Sequence, residues 1–214
     1  MSILIESIGI RIFTSPKVLS STLKNLAFEI DTGKQFESFR ANGKDHWVHR
    51  YYPLRPLKNN ELEGEVLKIA IIRDPVDRFI SMYRNRVLLR RPNSEKEFIV
   101  LPELGLELVP DINTLAVNLE AYREAVRDIR HHTTPQSVFL GKDLAVFDHV
   151  IWFSDIGKLT SLLEERTKSQ LLLPHINRSS STFYERLSRE SLGKLRDFYA
   201  SDYELVTQFK GNEF

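Results

Sequence analysis

The feature that most constrains the fold is a near-continuous apolar run at residues 66–72, "VLKIAII". Such a run is typical of a parallel strand that is buried on both faces of a sheet. Arg73, Asp74 and Pro75 follow it, and proline suits the first turn of a helix, where its missing N–H costs nothing. The next apolar residues have helical spacing: Phe79, Ile80, Tyr83 and Val87. The sequence therefore predicts a strand, a loop and a helix in succession.

The same succession is predicted at other places in the chain. Residues 8–13, "IGIRIF", read as a strand and precede a helical pattern at Leu23, Leu26, Ala27 and Ile30. Residues 145–153, "AVFDHVIWF", form a further predicted strand, and residues 115–129 a long amphipathic helix. Strands that alternate with helices predict an α/β fold in three layers, with a central parallel sheet flanked by helices. We expect one domain over residues 1–214.

Composition excludes several classes of protein. Lys and Arg number 30 and Asp and Glu 29, a net charge of +1, whereas a general nucleic-acid binder usually carries a basic excess. The chain has no cysteine, which excludes disulfides and thiolate zinc sites and is compatible with a reducing cytoplasm. The opening apolar stretch is short and contains Glu6 and Arg11, so we expect no signal peptide or transmembrane segment. The expected location is cytoplasmic, or peripheral to a membrane.

A polar loop joins the first predicted strand to its helix. It carries Lys17 and the hydroxyls of Ser20, Ser21 and Thr22. A helix N-terminus attracts anions through its N–H groups and partial positive charge, so one interpretation is a phosphate or sulfate site. The other interpretation is structural, with the hydroxyls as helix caps and the lysine in solvent. The loop has no Walker A glycines, which disfavours a metal-dependent NTPase.

Arg73 and Ser81 form a second candidate anion site, at the end of another predicted strand. Open α/β sheets bind ligands at the carboxyl ends of their strands, and the planar fork of arginine donors suits a phosphate. Alternatively, Arg73 pairs with Asp74 or Asp77, and Ser81 is an ordinary helix residue. Two anion sites on neighbouring strand ends would suit one ligand with two separated anionic groups.

Several segments resemble motifs of the sulfotransferases. "SPKVLSSTLKNL" is similar to the family's 5′-phosphosulfate loop, and "IIRDPVDRFISMYRN" to its 3′-phosphate motif, with Arg and Ser at the family's spacing. "HHTTPQSVFL", "VFDHVIWFSDIGKL" and "LPHINRSS" resemble the carbohydrate branch (sulfotransferase family 2-like) and its bacterial relatives. The resemblance runs from about residue 8 to residue 206, which is nearly the whole chain.

The resemblance implies an enzyme that uses 3′-phosphoadenosine 5′-phosphosulfate (PAPS), releases PAP and needs no metal. Lys17 would contact the 5′-phosphate and the bridging oxygen and so stabilise charge on the departing nucleotide. Arg73 and Ser81 would bind the 3′-phosphate. The other residues of a P-loop-like phosphosulfate loop would cradle the transferred group: Pro16, Val18, Leu19, Ser20, Ser21 and Thr22.

Leu19 departs from the family's usual loop, and the catalytic base is a separate question. Many relatives have glycine or another small residue where this chain has Leu19, and a positive φ there would suit leucine poorly. The base that takes the acceptor's proton is expected to be a histidine. His49 is the first candidate, His132 in "HTTPQ" the second and His46 the third.

The expected acceptor is a hydroxyl group of a carbohydrate or glycolipid. Residues 44–57, "KDHWVHRYYPLRPL", are predicted to form part of the wall of the acceptor site. The arginines at positions 84, 86, 90 and 91 either attract an anionic acceptor or form a solvated face. Two other hypotheses stay open: a degenerate protein of the same fold that binds nucleotide or glycan without turnover, and an ATP-dependent kinase.

Overall fold

A computed structural model describes residues 2–53, 55–89, 100–171 and 181–211. Arg90, Arg91 and the segment "LPHINRSS" lie outside the described residues. The described strands are β1 (Ser2–Ile5), β2 (Ile10–Phe13), β3 (Phe39–Ala41), β4 (Lys44–His46), β5 (Leu67–Ile72) and β6 (His149–Trp152). The described α-helices are α1 (Ser20–Thr32), α2 (Val48–Tyr51), α3 (Pro75–Met82), α4 (Ile112–Val117), α5 (Leu119–Ala125), α6 (Arg127–Thr133), α7 (Ser137–Leu140), α8 (Gly157–Thr167), α9 (Ser181–Tyr184), α10 (Arg189–Phe198) and α11 (Ala200–Gly211). Short 3-10 turns at Glu6–Ile8, Asn59–Glu61, Pro102–Leu104, Leu144–Val146 and Phe153–Asp155, and a π-helical turn at Tyr83–Leu88, complete the regular structure described.

The chain divides into two compact units. The first comprises Met1–Arg73, Gln136–Ile176 and Leu205–Phe214, and the second comprises Asp74–Pro135 and Asn177–Glu204. All the strands described belong to the first unit, whereas the described regular elements of the second unit are helical. The single domain over residues 1–214 stays a prediction.

The sheet of the first unit has the order β1-β2-β5-β6. Strands β2, β5 and β6 run parallel, with Ile12 beside Ile69 and Ile71 beside Ile151. The prediction of an α/β fold with parallel strands flanked by helices is confirmed. The predicted parallel sheet carries in addition one antiparallel strand, because β1 pairs antiparallel with β2. Gly9 has φ +63° and ends the turn between them, a conformation that glycine adopts without steric cost.

Both faces of the sheet are buried, as the apolar run at residues 66–72 predicts. Ile69 and Ile71 of β5 face a core that includes Leu23 and Leu26 of α1 and Leu159 of α8. Ala70 and Ile72 face the opposite core, formed with residues of α7, the turn after it and α11: Leu140, Leu144, Phe147 and Leu205. Alternate side chains of one strand therefore serve two cores, and a long continuous apolar run is the result.

The second unit confirms one predicted helix and corrects another. The predicted stripe of α3 and the turn after it is buried. The single helix predicted over residues 115–129 is wrong, because the backbone leaves the helical conformation at Asn118 and is extended at Val126 (φ −123°, ψ 107°). The apolar residues nevertheless stay buried in α4, α5 and α6 and at Val126 itself. The helical spacing of these apolar residues therefore predicts their burial but does not establish that the helix is continuous.

Candidate functional site

The loop between β2 and α1 is a compact turn with two residues in the left-handed region. Lys17 has φ +67° and Leu19 has φ +54°. The hydroxyl of Thr14 donates to the carbonyl oxygen of Val18 at 2.6 Å, and the Val18 N–H donates to Ser15 O at 3.2 Å. A left-handed residue with a side chain costs roughly 1–2 kcal/mol, so the surrounding contacts must hold both residues in place.

Helix α1 begins without a capping side chain. Its N-cap residue is Leu19, which has no side-chain hydrogen-bonding group, and the first helical bond runs from the Leu23 N–H to Leu19 O at 2.9 Å. Ser20, Ser21 and Thr22 lie inside the first turn, so the interpretation of these hydroxyls as N-caps is wrong. The N–H groups of this turn have no acceptor within the helix. Left-handed residues beside such N–H groups are a recurring way to build an anion-binding concavity.

Arg73 follows β5 and reaches the loop directly. Its side chain is buried, and Nη1 donates to the carbonyl oxygen of Lys17 at 2.9 Å. Its guanidinium carbon lies 4.2 Å from the ring centroid of Phe153, in the turn after β6. Because β2, β5 and β6 are parallel neighbours, their carboxyl ends meet at one edge of the sheet. The structure thus brings together Lys17 and Arg73, two of the residues that the sequence singled out.

The backbone of Arg73 is fixed by a residue that sequence reasoning missed. Gln136 is fully buried, its Nε2 donates to Arg73 O at 2.7 Å, and its Oε1 accepts from the Arg73 N–H at 3.2 Å. The side-chain amide of Gln136 therefore pairs with the backbone of Arg73 at the strand end. The sequence analysis attributed "HTTPQ" to His132, although the glutamine was the available signal.

His49, the first candidate base, lies against the first turns of α1. Its Nε2 is 3.0 Å from Ser21 Oγ, and its Nδ1 is 3.0 Å from Lys24 Nζ. The Lys24 side chain is fully buried, and this burial lowers the pKa of Lys24 to about 8. Lys24 is not conspicuous in the sequence, because it follows the apolar residue Leu23 within an ordinary helical pattern.

Comparison with known proteins assigns the chain to a family. The sequence model of the sulfotransferase family matches residues 9–206. The chain belongs to the sulfotransferase family. Membership of this family supports a sulfate-transferring activity, and the family generally uses PAPS as the donor. No curated protein and no solved structure is significantly similar to the chain.

The other candidate bases of this sulfotransferase have different surroundings. His132 lies in α6 of the second unit, with Nε2 3.3 Å from Asp128 Oδ1. Burial lowers the pKa of His132 to about 4 against the opposing effect of Asp128, so its imidazole is neutral at pH 7 and a weak base. His46 ends β4 and stacks on Phe39, with ring centroids 4.7 Å apart. The geometry favours His49 over both.

Ser81 and the basic cluster of the sulfotransferase belong to the second unit. Ser81 is half-buried in the last turn of α3. Arg84 lies over the ring of Phe183 at 5.6 Å, and Arg86 Nε is 3.6 Å from Asp128 Oδ2. Both described arginines thus contact side chains of their own unit, which favours a structural interpretation over acceptor binding.

A cavity of about 790 Å³ lies beside α1 and β1 in the first unit of the sulfotransferase. Its wall includes the rings of Phe28, Tyr51 and Tyr52 and the charged groups of Asp31 and Arg55. The segment predicted from sequence to face the acceptor supplies several of the lining residues. Among the residues that the structure describes, no cluster could hold a metal ion, and no helix is long and apolar enough to span a membrane.

The left-handed conformation of Leu19 predicts an unusual order of stability between two variants. Leu19→Gly and Leu19→Ala lose the same packing against the core, but glycine tolerates φ +54° and alanine does not. We expect the glycine variant to be more stable by about 1 kcal/mol, as measured by denaturant unfolding.

The matched control is Leu162, a half-buried leucine inside α8. There the order should reverse, because alanine is the better helix former. An alanine variant at position 19 as stable as the glycine variant would contradict the strain assigned to the loop.

Proposed function

We propose that this sulfotransferase transfers a sulfuryl group from PAPS to a hydroxyl of a carbohydrate or glycolipid acceptor. The observation that carries the proposal is the 2.9 Å hydrogen bond from Arg73 Nη1 to Lys17 O. It joins an arginine fork to a helix N-terminus within the first unit. PAPS carries a phosphosulfate and a separate 3′-phosphate, so a site with two adjoining anion-binding groups suits it.

In this proposal, the loop acts as a P-loop-like phosphosulfate loop. Backbone N–H groups of residues 18–22 and the hydroxyls of the first helical turn hold the 5′-phosphosulfate, and Arg73 binds the 3′-phosphate. Lys17 places its ammonium at the bridging oxygen of the donor. The role of Ser81 at the 3′-phosphate, and the bacterial-type and cytoplasmic assignments, stay predictions from sequence.

The chemistry requires in-line positioning and stabilisation of moving charge. A bond forms between the acceptor oxygen and sulfur, and the bond from sulfur to the 5′-phosphate oxygen breaks, with its electron pair left on PAP. Lys17 stabilises that charge, as groups preorganised toward developing charge do in other transfer enzymes. His49 takes the acceptor's proton, a contribution of typically ~10²–10⁴-fold.

The cavity beside α1 is the proposed acceptor site. Sugars present apolar ring faces that suit aromatic side chains and hydroxyls that suit carboxylate and guanidinium groups. Tyr51 is the last residue of α2, the helix that carries His49, so this wall of the cavity adjoins the proposed base. Arg55 gives the cavity an exposed cation for an anionic substituent on the acceptor.

The donor assignment predicts a selective response to nucleotide. PAP at about 100 times its Kd should raise the unfolding free energy by about 2.7 kcal/mol, whereas Mg-ATP should leave the melting temperature unchanged.

Arg73→Lys should weaken PAP binding about 10- to 100-fold, because an ammonium cannot reproduce the guanidinium fork. Lys17→Ala should change PAP affinity less than about tenfold and lower the transfer rate by about 10² or more. Calorimetry and a labelled-PAPS assay measure these quantities.

The matched controls are two exposed residues of α8: Lys158→Ala removes a charge, as Lys17→Ala does, and Arg166→Lys keeps it, as Arg73→Lys does. Both should leave PAP affinity and transfer rate at the wild-type values. Stabilisation by Mg-ATP alone would reject the proposal in favour of a kinase. PAP binding without transfer to any of a panel of sugars and glycolipids would favour the degenerate, non-catalytic hypothesis.

The base assignment predicts different losses from two histidine variants. At saturating PAPS, His49→Ala should lower kcat about 10²- to 10⁴-fold, because the proton acceptor is lost. His132→Ala should leave kcat within about threefold of wild type, since an imidazole with a pKa of about 4 accepts protons weakly at pH 7. A large rate loss in His132→Ala together with full activity in His49→Ala would reverse the assignment.

The acceptor site predicts a change in one Michaelis constant only. Tyr51→Ala should raise the KM of the acceptor about three- to tenfold, because a stacking contact is lost, and leave the KM of PAPS unchanged. Arg55→Gln should raise KM for anionic acceptors and not for neutral ones. Tyr184→Ala, which removes an exposed tyrosine of α9, is the control. Equal shifts for donor and acceptor in Tyr51→Ala would argue against this placement of the acceptor.

A further inference from the structure

The partly buried contact between Lys24 and His49 has no counterpart in the roles assigned so far. Lys24 Nζ lies 3.0 Å from His49 Nδ1, and Ser21 Oγ lies 3.0 Å from His49 Nε2. The three side chains form a chain that runs from the interior of the first unit to its surface, because Lys24 is fully buried whereas His49 and Ser21 are exposed. A fully buried lysine is rare unless its nitrogen has a defined partner.

The protonation state of Lys24 decides what His49 can do. An ammonium has three donors and no acceptor, so a charged Lys24 must donate to Nδ1 and leave the imidazole proton on Nε2. That tautomer of His49 donates to Ser21 Oγ and has no lone pair on Nε2. A neutral amine can instead accept from an Nδ1–H, and Nε2 then carries the lone pair that a base requires.

We propose that Lys24 is a positioning residue that sets the tautomer of His49 and receives its Nδ1 proton during transfer. This inference rests on the proposed role of His49 as the base. In the reactive state, an acceptor hydroxyl takes the place of Ser21 Oγ at Nε2. Its O–H bond breaks as the oxygen–sulfur bond forms, the proton moves to Nε2, and the Nδ1 proton moves to Nζ. Lys24 ends as an ammonium, His49 returns to a neutral imidazole, and the bond from sulfur to PAP breaks.

The surroundings of Lys24 support an amine within the working pH range. Burial lowers the pKa of Lys24 from 10.5 to about 8. The elements that pack against α1 carry few other ionisable groups: Glu6 in the turn after β1, and His49, Arg50 and Tyr51 in α2. Within α1 itself, the acidic residues are Glu29 and Asp31, in its last turns. Burial, rather than a neighbouring charge, is the cause of the lowered pKa.

The decisive measurement is the tautomer of His49 in the ligand-free protein. Nitrogen-15 NMR of labelled histidine distinguishes the two neutral tautomers, and His49→Asn assigns the signals among the six histidines. Between about pH 7 and pH 10 we expect the wild-type His49 to change from the Nε2–H to the Nδ1–H tautomer, with a midpoint near pH 8. Lys24→Met, which keeps the apolar volume, should abolish the change. A single tautomer throughout, or the same transition in Lys24→Met, overturns the inference.

Kinetics supply a second readout that a merely structural lysine would not move. In the wild type, kcat/KM should rise with pH through about 8, because it reports the loss of the Lys24 proton in the free enzyme. In Lys24→Met that rise should disappear and kcat should fall about 10- to 100-fold, with the KM of PAPS unchanged. An unchanged pH profile in Lys24→Met overturns the inference. Because the NMR experiment needs no nucleotide, a tautomer switch in a protein that fails to bind PAP would support the control of the His49 tautomer by Lys24 while rejecting the proposed function.

Discussion

The hydrogen bonds around Arg73 are the interaction on which the rest of the site depends. Gln136 binds the backbone of Arg73 on both its N–H and C=O groups, and the Arg73 guanidinium then spans from the Phe153 ring to the Lys17 carbonyl. The ends of three parallel strands are thereby held together by one buried cation. The orientation of that cation is set by the protein before any ligand arrives, so less conformational freedom is lost when an anion binds.

The strain in the loop and the position of Arg73 support one another. Two left-handed residues would cost roughly 2–4 kcal/mol together if the loop stood alone. The loop is instead held by Thr14 from within, by Arg73 at the Lys17 carbonyl, and by the packing of Leu19 against the sheet core. A glycine at position 19 would adopt the same φ without strain but would lose that packing. Leu19 therefore adopts a strained φ but anchors the loop by packing against the core, and its presence is compatible with a formed loop.

Local pattern explains which parts of this molecule could be predicted. The run at residues 66–72 could be predicted as a strand buried on both faces, because its continuous apolar pattern is visible within the strand's own sequence. The antiparallel β1 was missed because a reversal at Gly9 divides one apolar stretch into two strands. Gln136 and Lys24 were missed because their roles depend on contacts with residues that are distant in sequence. Gln136 lies 63 positions from its partner Arg73, and Lys24 lies 25 positions from its partner His49. Lys17, Arg73 and His49 were singled out because a loop lysine, a strand-end arginine and a histidine are noticeable in sequence, and the family resemblance implied a role for each.

The proposed donor site and the proposed proton transfer lie at the same end of α1, which would couple their electrostatics. Ser21 lies in the first turn, where the proposed phosphosulfate binds, and it also contacts His49 Nε2. Burial favours the amine form of Lys24, whereas the negative charge of a bound donor favours the ammonium, because an opposite charge nearby raises the pKa of a lysine. A bound donor thus raises the pH at which Lys24 becomes an amine and His49 becomes a base, relative to the ligand-free protein. Departure of PAP removes that charge and returns Lys24 toward the amine, with exposed His49 as the route by which the proton reaches solvent.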